Sequence, residues 1–135
     1  MTDFFHLEVG RDALGAISTL GLAHLGDAVY ELMVRSMLCL QGKATNKNLH
    51  KATVGYVSAQ AQAQAAERIL PLLTEEEHDV FRRGRNSNPH TVSHAASRAE
   101  YQTATALEAL FGYLYLGGRT ERLNQLFGAI MAEEA

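Results

Sequence analysis

The chain has 135 residues, of which 47% are apolar, with two prolines and a single cysteine, Cys39. This length and apolar content suffice for one domain with a buried core and argue against a largely disordered chain. One cysteine excludes an internal disulfide framework and a cysteine-rich zinc site, and it fits a reducing, cytoplasmic setting. The net charge of −3 argues against a generic, strongly basic nucleic-acid binder.

Apolar residues recur at helical spacing along most of the chain, and runs of β-branched residues that would predict strands are scarce. The predicted helices cover 21–40, 45–57, 58–70, 74–84, about 98–116 and a last segment that begins at Thr120. Their predicted ends are marked by Gly42, Gly55, Pro71, Gly84 and a polar loop, 85–97. Their predicted N-caps are Thr19, Thr74 (in a capping box with Glu77) and Thr120. The expected fold is one all-α domain over residues 1–135 with about six to seven helices.

No targeting or membrane segment is predicted. The first residues carry no basic stretch ahead of an apolar run, as a signal peptide would. No segment reaches about 20 consecutive apolar residues, the length that spans a bilayer.

Two acidic residues occupy positions where their own side chains are unfavourable. Glu108 is the only charged residue in the apolar run 103–118, and Asp27 lies between Gly26 and Ala28 in the first predicted helix. Aspartate competes for backbone hydrogen bonds inside a helix, and burying a carboxylate is expensive. Small neighbours would allow the two helices to approach closely. Such conflicts with local preference are more frequent at functional sites.

Two carboxylates that converge repel each other unless a cation lies between them. Hard oxygen ligands suit Mg²⁺, with Mn²⁺ as a possible substitute. Mg²⁺ needs only one or two protein carboxylates, because waters and phosphate oxygens complete its shell. This arrangement is suited to phosphodiester hydrolysis. Asp27 and Glu108 are therefore the candidate metal ligands and catalytic residues.

Other interpretations of these acids stay open at this point. Asp27, Glu31 and Arg35 are four apart and would also fit a solvated stripe on the helix surface. Glu108 would also be compatible with a protonated carboxyl, or with an arginine partner in the core. His90 and His94 are four apart, but they lie in a predicted loop with no third ligand nearby, so a zinc site is not favoured.

The basic residues are segregated from the acidic ones. Between residues 36 and 66 the only charges are Lys43, Lys47 and Lys51, which are four apart and share one helix face. Between 80 and 99 all the charged residues are arginines. Such segregation predicts a surface that follows a phosphate backbone, although lysines on a helix are also ordinary solubilising residues. The candidate RNA contacts are Lys47, Lys51, Arg82, Arg83, Arg85 and Asn86.

Four segments, in order and at matching spacing, resemble one known family. "LAHLGDAVYELMVR" (22–35) and "ALEALFGYLYLGG" (106–118) resemble the catalytic domain of ribonuclease III. "LHKATVGYVSAQAQA" (49–63) and "FRRGRN" (81–86) are similar to the Mini-ribonuclease III branch, which has this domain without a double-stranded-RNA-binding domain. The resemblance extends from about residue 20 to residue 118.

This resemblance implies an all-helical, homodimeric endonuclease that cuts double-stranded RNA with Mg²⁺. It implies a role in trimming precursor 23S ribosomal RNA in bacteria, and a ribosomal protein that presents the substrate is a candidate partner. Asp27 matches the aspartate of the family's "GDAV" motif, and Glu108 the glutamate of its "EAL" segment. Two further metal-site acids of the larger enzymes are replaced here by Ala23 and Thr105, which fits the smaller branch.

Two rival functions stay open. One is a module of the same fold that binds structured RNA without cutting it, and the other is a purely structural helical dimer.

Overall fold

The computed structural model describes residues 1–42, 46–87 and 97–132. Within these residues it contains seven α-helices and no strand, which confirms the all-α prediction. The helices are α1 (Arg11–Ala16), α2 (Thr19–Gln41), α3 (Asn46–Val57), α4 (Ala59–Ile69), α5 (Glu75–Asn86), α6 (Arg98–Leu116) and α7 (Thr120–Ala132). A short 3₁₀ turn, Leu70–Leu72, follows α4. No helix in the described ranges is both long and apolar enough to cross a membrane.

Helix α6 forms the centre of the molecule. It packs most extensively on α2 and also contacts α4, α5 and α7. Its apolar residues are almost fully buried, including Leu107, Leu110, Phe111 and Leu114. A charged residue in the middle of this helix, such as Glu108, therefore lies next to the core.

Two glycines allow α2 and α6 to pass backbone against backbone. A Cβ atom added to Gly26 would lie 1.6 Å from the carbonyl oxygen of Glu108, and one added to Gly112 would lie 2.1 Å from that of Leu22. Only glycine fits at either position. Since Asp27 follows Gly26 directly, this crossing brings it to Glu108.

Helices α5 and α7 are joined by a buried ion pair. The Glu77 side chain is 1% exposed and accepts hydrogen bonds from the Arg122 guanidinium at 2.8 Å through each of its two oxygens. The backbone N–H of Thr74 also donates to Glu77, which confirms the predicted capping box. The pKa of the Glu77 carboxyl is lowered, chiefly by the hydrogen bond from Arg122.

Several predicted helix ends were wrong. Ser18, not Thr19, caps α2, because its hydroxyl oxygen accepts from the Gly21 N–H at 2.9 Å. Thr120 is the first residue of α7 rather than its cap. Helix α3 ends at Val57, the predicted last residue, but no break occurs near Gly55, and Ser58 caps α4.

The predicted end of α5 was also wrong. Gly84 lies inside that helix, since it packs against α6, where an added Cβ would be 2.7 Å from the Ala106 Cα. Arg85 and Asn86, predicted in the loop 85–97, are consequently in the last turn of α5. The sequence did not predict α1 at all, a six-residue helix without a side-chain cap.

We expect Gly26→Ala to destabilise the protein by more than the roughly 1–3 kcal/mol typical of an overpacked core, because the new methyl group meets backbone rather than a movable side chain. Urea unfolding measures the change. Gly128→Ala is the matched control, since nothing lies within 4 Å of its added Cβ. It should be neutral, or stabilising by up to about 1 kcal/mol from helix propensity. Equal stability of the two variants would contradict the close crossing.

Candidate active site

A cavity of about 470 Å³ lies where α2 and α6 meet the end of α3 and the beginning of α4. Both predicted acids line it, Asp27 from α2 and Glu108 from α6. Its other lining residues are Val54, Val57, Ser58, Ala59, Gln60, Gln62, Tyr101, Ala104 and Thr105. The cavity thus combines two acids with an apolar and amide-bearing wall.

The carboxyl groups of Asp27 and Glu108 line the same cavity and lie close enough to interact through charge and a side-chain hydrogen bond. Asp27 is exposed, whereas Glu108 is partly buried. Burial raises the pKa of Glu108 to about 8, and the charge of Asp27 and the hydrogen bond with it add to the rise. Near neutral pH and without a cation, Glu108 is therefore largely protonated and donates to the Asp27 carboxylate. The interpretation of Glu108 as a protonated carboxyl therefore applies to the protein without a bound metal.

The surface-stripe interpretation is borne out in part, since Asp27 is exposed and Glu31 pairs with Arg35, whereas an arginine partner for Glu108 is not found in the described ranges. Glu31 forms an ion pair with Arg35, but Asp27 does not take part in it. Across 1–42, 46–87 and 97–132, neither Asp27 nor Glu108 forms an ion pair with an arginine.

The donor set fits Mg²⁺ and does not fit zinc. Within the described ranges, no group of three or more His, Cys, Asp or Glu side chains could hold a metal ion. Two adjacent carboxylates on an open cavity are enough for Mg²⁺, which keeps several waters, whereas zinc sites use three or four protein ligands. His90 and His94 lie outside the described residues.

Ala23 and Thr105, which stand where the larger enzymes have two further metal-site acids, are both buried. The Thr105 hydroxyl donates to the Tyr101 carbonyl oxygen within α6.

Sequence reasoning missed Gln62, which is 1% exposed and lines the same cavity. The hydrogen-bonding influence of its side-chain amide lowers the pKa of Glu108 and so partly opposes the rise. The signal was available in the spacing. The buried residues Ala65, Ala66 and Ile69 follow Gln62 by three, four and seven positions, which places all four on one face of α4. Gln62 is therefore a polar residue on the apolar face of this helix.

Two of the predicted lysines lie on the face of α3 that also carries a cavity-lining residue. Lys47 and Lys51 are exposed on α3. They share a helix face with Val54, which lines the cavity, because residues four and seven apart fall on one side of a helix. Lys43 lies outside the described residues.

The predicted arginines are on α5 and do not line the cavity. Arg82 and Arg83 both pair with Asp79, the latter at 3.2 Å, and the Arg85 guanidinium lies 5.1 Å from the centre of the Phe81 ring. All three side chains are exposed, as is Asn86. The structure therefore leaves two separate groups of candidate RNA contacts, on α3 and on α5.

We expect the metal-free protein to lose stability as pH rises from about 5 to about 8. The folded-state pKa of Glu108 is about 8 and the ordinary value is 4.5, so the folded chain binds more protons across this interval. Urea unfolding in EDTA at the two pH values should show wild type losing at least about 1 kcal/mol relative to Glu108→Gln, since one pKa unit corresponds to about 1.4 kcal/mol. Glu67→Gln, at an exposed site on α4, should follow wild type. Parallel pH profiles for wild type and Glu108→Gln would contradict the raised pKa.

Comparison with known proteins shows the family to which this chain belongs. The Ribonuclease III domain model matches residues 20–119. Mini-ribonuclease 3 of Symbiobacterium thermophilum is 47% identical over 110 residues, which cover 82% of this chain and 85% of that protein. Mini-ribonuclease 3 of Clostridium tetani is 39% identical over 129 residues, which cover 95% of this chain and 85% of that protein. A crystal structure from Fusobacterium nucleatum superposes with a TM-score of 0.79 at 33% identity, over 87% of this chain and 95% of that one. The chain therefore belongs to the ribonuclease III family, in its Mini-ribonuclease III branch, and is an endoribonuclease.

Proposed function

We propose that this endoribonuclease hydrolyses phosphodiester bonds in double-stranded RNA and depends on Mg²⁺. The observation that carries the proposal is the contact between the Asp27 and Glu108 carboxyl groups at the edge of an open cavity. An uncompensated pair of this kind raises the free energy of the ionised protein, and a divalent cation removes the penalty.

Asp27 and Glu108 would hold the ion, each through a carboxylate oxygen or through a bound water. When bound, Mg²⁺ polarises the phosphoryl group and makes an attacking water more acidic, so no side-chain nucleophile is required. Glu108 must lose its proton before it can act as a ligand, and metal binding should therefore release a proton. Asp27, being exposed, can meet the ion first.

The first turn of α4 supplies a further favourable element for a phosphate. Ser58, Ala59 and Gln60 line the cavity at the N-terminus of this helix. Backbone N–H groups and the helix dipole favour negative charge at such an end. A phosphate in the cavity would thus lie between the cation and the positive end of a helix.

The RNA backbone would extend from the cavity along the exposed basic residues. Lys47 and Lys51 are aligned with the cavity wall on α3, while Arg82, Arg83, Arg85 and Asn86 offer a second group of contacts on α5. Backbone contacts of this kind position a duplex without reading its sequence.

A homodimer would give one site for each strand of the duplex, which is itself two-fold symmetric. The apolar groove of about 470 Å³ on α2 is a candidate subunit contact. It is lined by Leu25, Val29 and Leu32, and Leu32 is 57% exposed in the single chain.

Precursor 23S ribosomal RNA is the substrate that the family resemblance favours, with a ribosomal protein as a possible partner in its presentation. Processing of this RNA would take place in the cytoplasm.

We expect Asp27→Asn to lower the rate of cleavage of a long RNA duplex by at least about 100-fold, the scale on which loss of one charge-stabilising group lowers kcat. Duplex binding should survive, because the basic residues are unchanged. EDTA should abolish cleavage by wild type, and Asp12→Asn, at an exposed acid on α1, should cut normally.

Cleavage by Asp27→Asn at the wild-type rate would contradict the proposed site. If wild type binds duplex but does not cut it with Mg²⁺ present, the chain is an RNA-binding module rather than a metal-dependent nuclease.

A further inference from the structure

Gln62 differs from the other buried polar residues of the protein. Four polar or charged side chains are buried among the described residues, namely Thr53, Gln62, Glu77 and Thr105. The two threonines donate to carbonyl oxygens of their own helices, and Glu77 is paired with Arg122. Gln62 and Thr105 line the candidate active-site cavity with Glu108, and of these two only Gln62 influences the Glu108 carboxyl through its side chain.

The amide oxygen of Gln62 has no hydrogen-bond partner in the described part of the chain. A buried polar atom without a partner destabilises the folded state, and an apolar side chain of similar length would remove this penalty. The fold alone therefore favours a residue such as methionine at this position. Buried polar groups that work against stability are more frequent where function requires them.

A flexible carboxylate that must bind an ion needs a fixed direction. Glu108 has three rotatable side-chain bonds and lies beside a second acid that repels its ionised form. Without a restraint, the ionised side chain lowers its energy by turning away from Asp27. A hydrogen bond to a charged group is stronger than one between neutral groups, and it is strong enough to select one orientation. The Gln62 amide is placed to provide this bond from a rigid, buried helix face.

We propose that Gln62 is a positioning residue, whose amide N–H holds one oxygen of Glu108 so that the carboxylate stays directed towards the cavity and the ion. The amide oxygen is left available to accept a hydrogen bond from a water that enters with the cation, since Mg²⁺ keeps several waters when it binds to proteins. This inference rests on the proposed metal-dependent function. It assigns no bond-making step to Gln62.

The test compares Gln62→Met with Gln64→Met, an exposed glutamine on the same helix. Mn²⁺ is the probe, and its binding to the RNA-free protein is followed by electron paramagnetic resonance. Gln62→Met should weaken Mn²⁺ binding by about 10-fold or more, the usual scale for residues that orient a ligand. Its melting temperature without metal should be unchanged or higher, whereas Gln64→Met should match wild type in Mn²⁺ affinity.

A purely structural role for Gln62 predicts the opposite pattern, a lower melting temperature with unchanged Mn²⁺ affinity, and this result would overturn the inference. If Gln62→Met does not fold, Gln62→Leu provides the same comparison, and failure of both to fold would also count against it. Absence of Mn²⁺ binding to wild type would instead refute the proposed function itself. Wild-type binding with an unaffected Gln62→Met refutes only the role of Gln62.

Discussion

The close crossing of α2 and α6 determines where everything else in this protein lies. Gly26 packs on the backbone of Glu108, and Gly112 packs on the backbone of Leu22, at distances that admit no side chain. Because Asp27 follows Gly26, the contact that builds the core also builds the acidic pair. The same helix crossing therefore determines both the fold and the position of the acidic pair. A change that separates the two helices would also separate the two carboxylates.

Two glutamates of this chain, Glu77 and Glu108, are buried or partly buried, but their surroundings shift their pKa values in opposite directions. Glu77 is paired with Arg122 and a backbone N–H, and its pKa is lowered, so it stabilises the folded chain as a carboxylate. Glu108 has another acid and one amide as neighbours, and its pKa is raised to about 8. The negative charge of Glu77 is compensated by groups of the chain itself. The negative charge of Glu108 would be compensated only by an added cation.

Much of this arrangement could be predicted from the sequence, and the rest depended on tertiary packing. The isolated charge of Glu108 in an apolar helix and the small residues around Asp27 predicted a close approach, and the geometry agrees. Helix ends were harder, because Gly84 has the sequence pattern of a terminator but is kept inside α5 by its contact with Ala106. Gln62 was missed, since alternating alanine and glutamine in α4 give a polar residue on the buried stripe little prominence. Helix preference alone does not distinguish these glutamines, whereas the spacing of Gln62 from Ala65, Ala66 and Ile69 does.

The central claim is that Asp27 and Glu108 together hold one divalent cation. A crystal structure of the protein soaked in Mn²⁺, with anomalous scattering to locate the ion, tests it most directly. We expect an anomalous peak between the two carboxylates, with an oxygen of at least one of them near the metal–oxygen distance of about 2.0–2.1 Å known for Mg²⁺, or slightly longer for Mn²⁺. A fully occupied Mn²⁺ site elsewhere, with Asp27 and Glu108 still hydrogen-bonded to each other and no peak between them, would contradict the account.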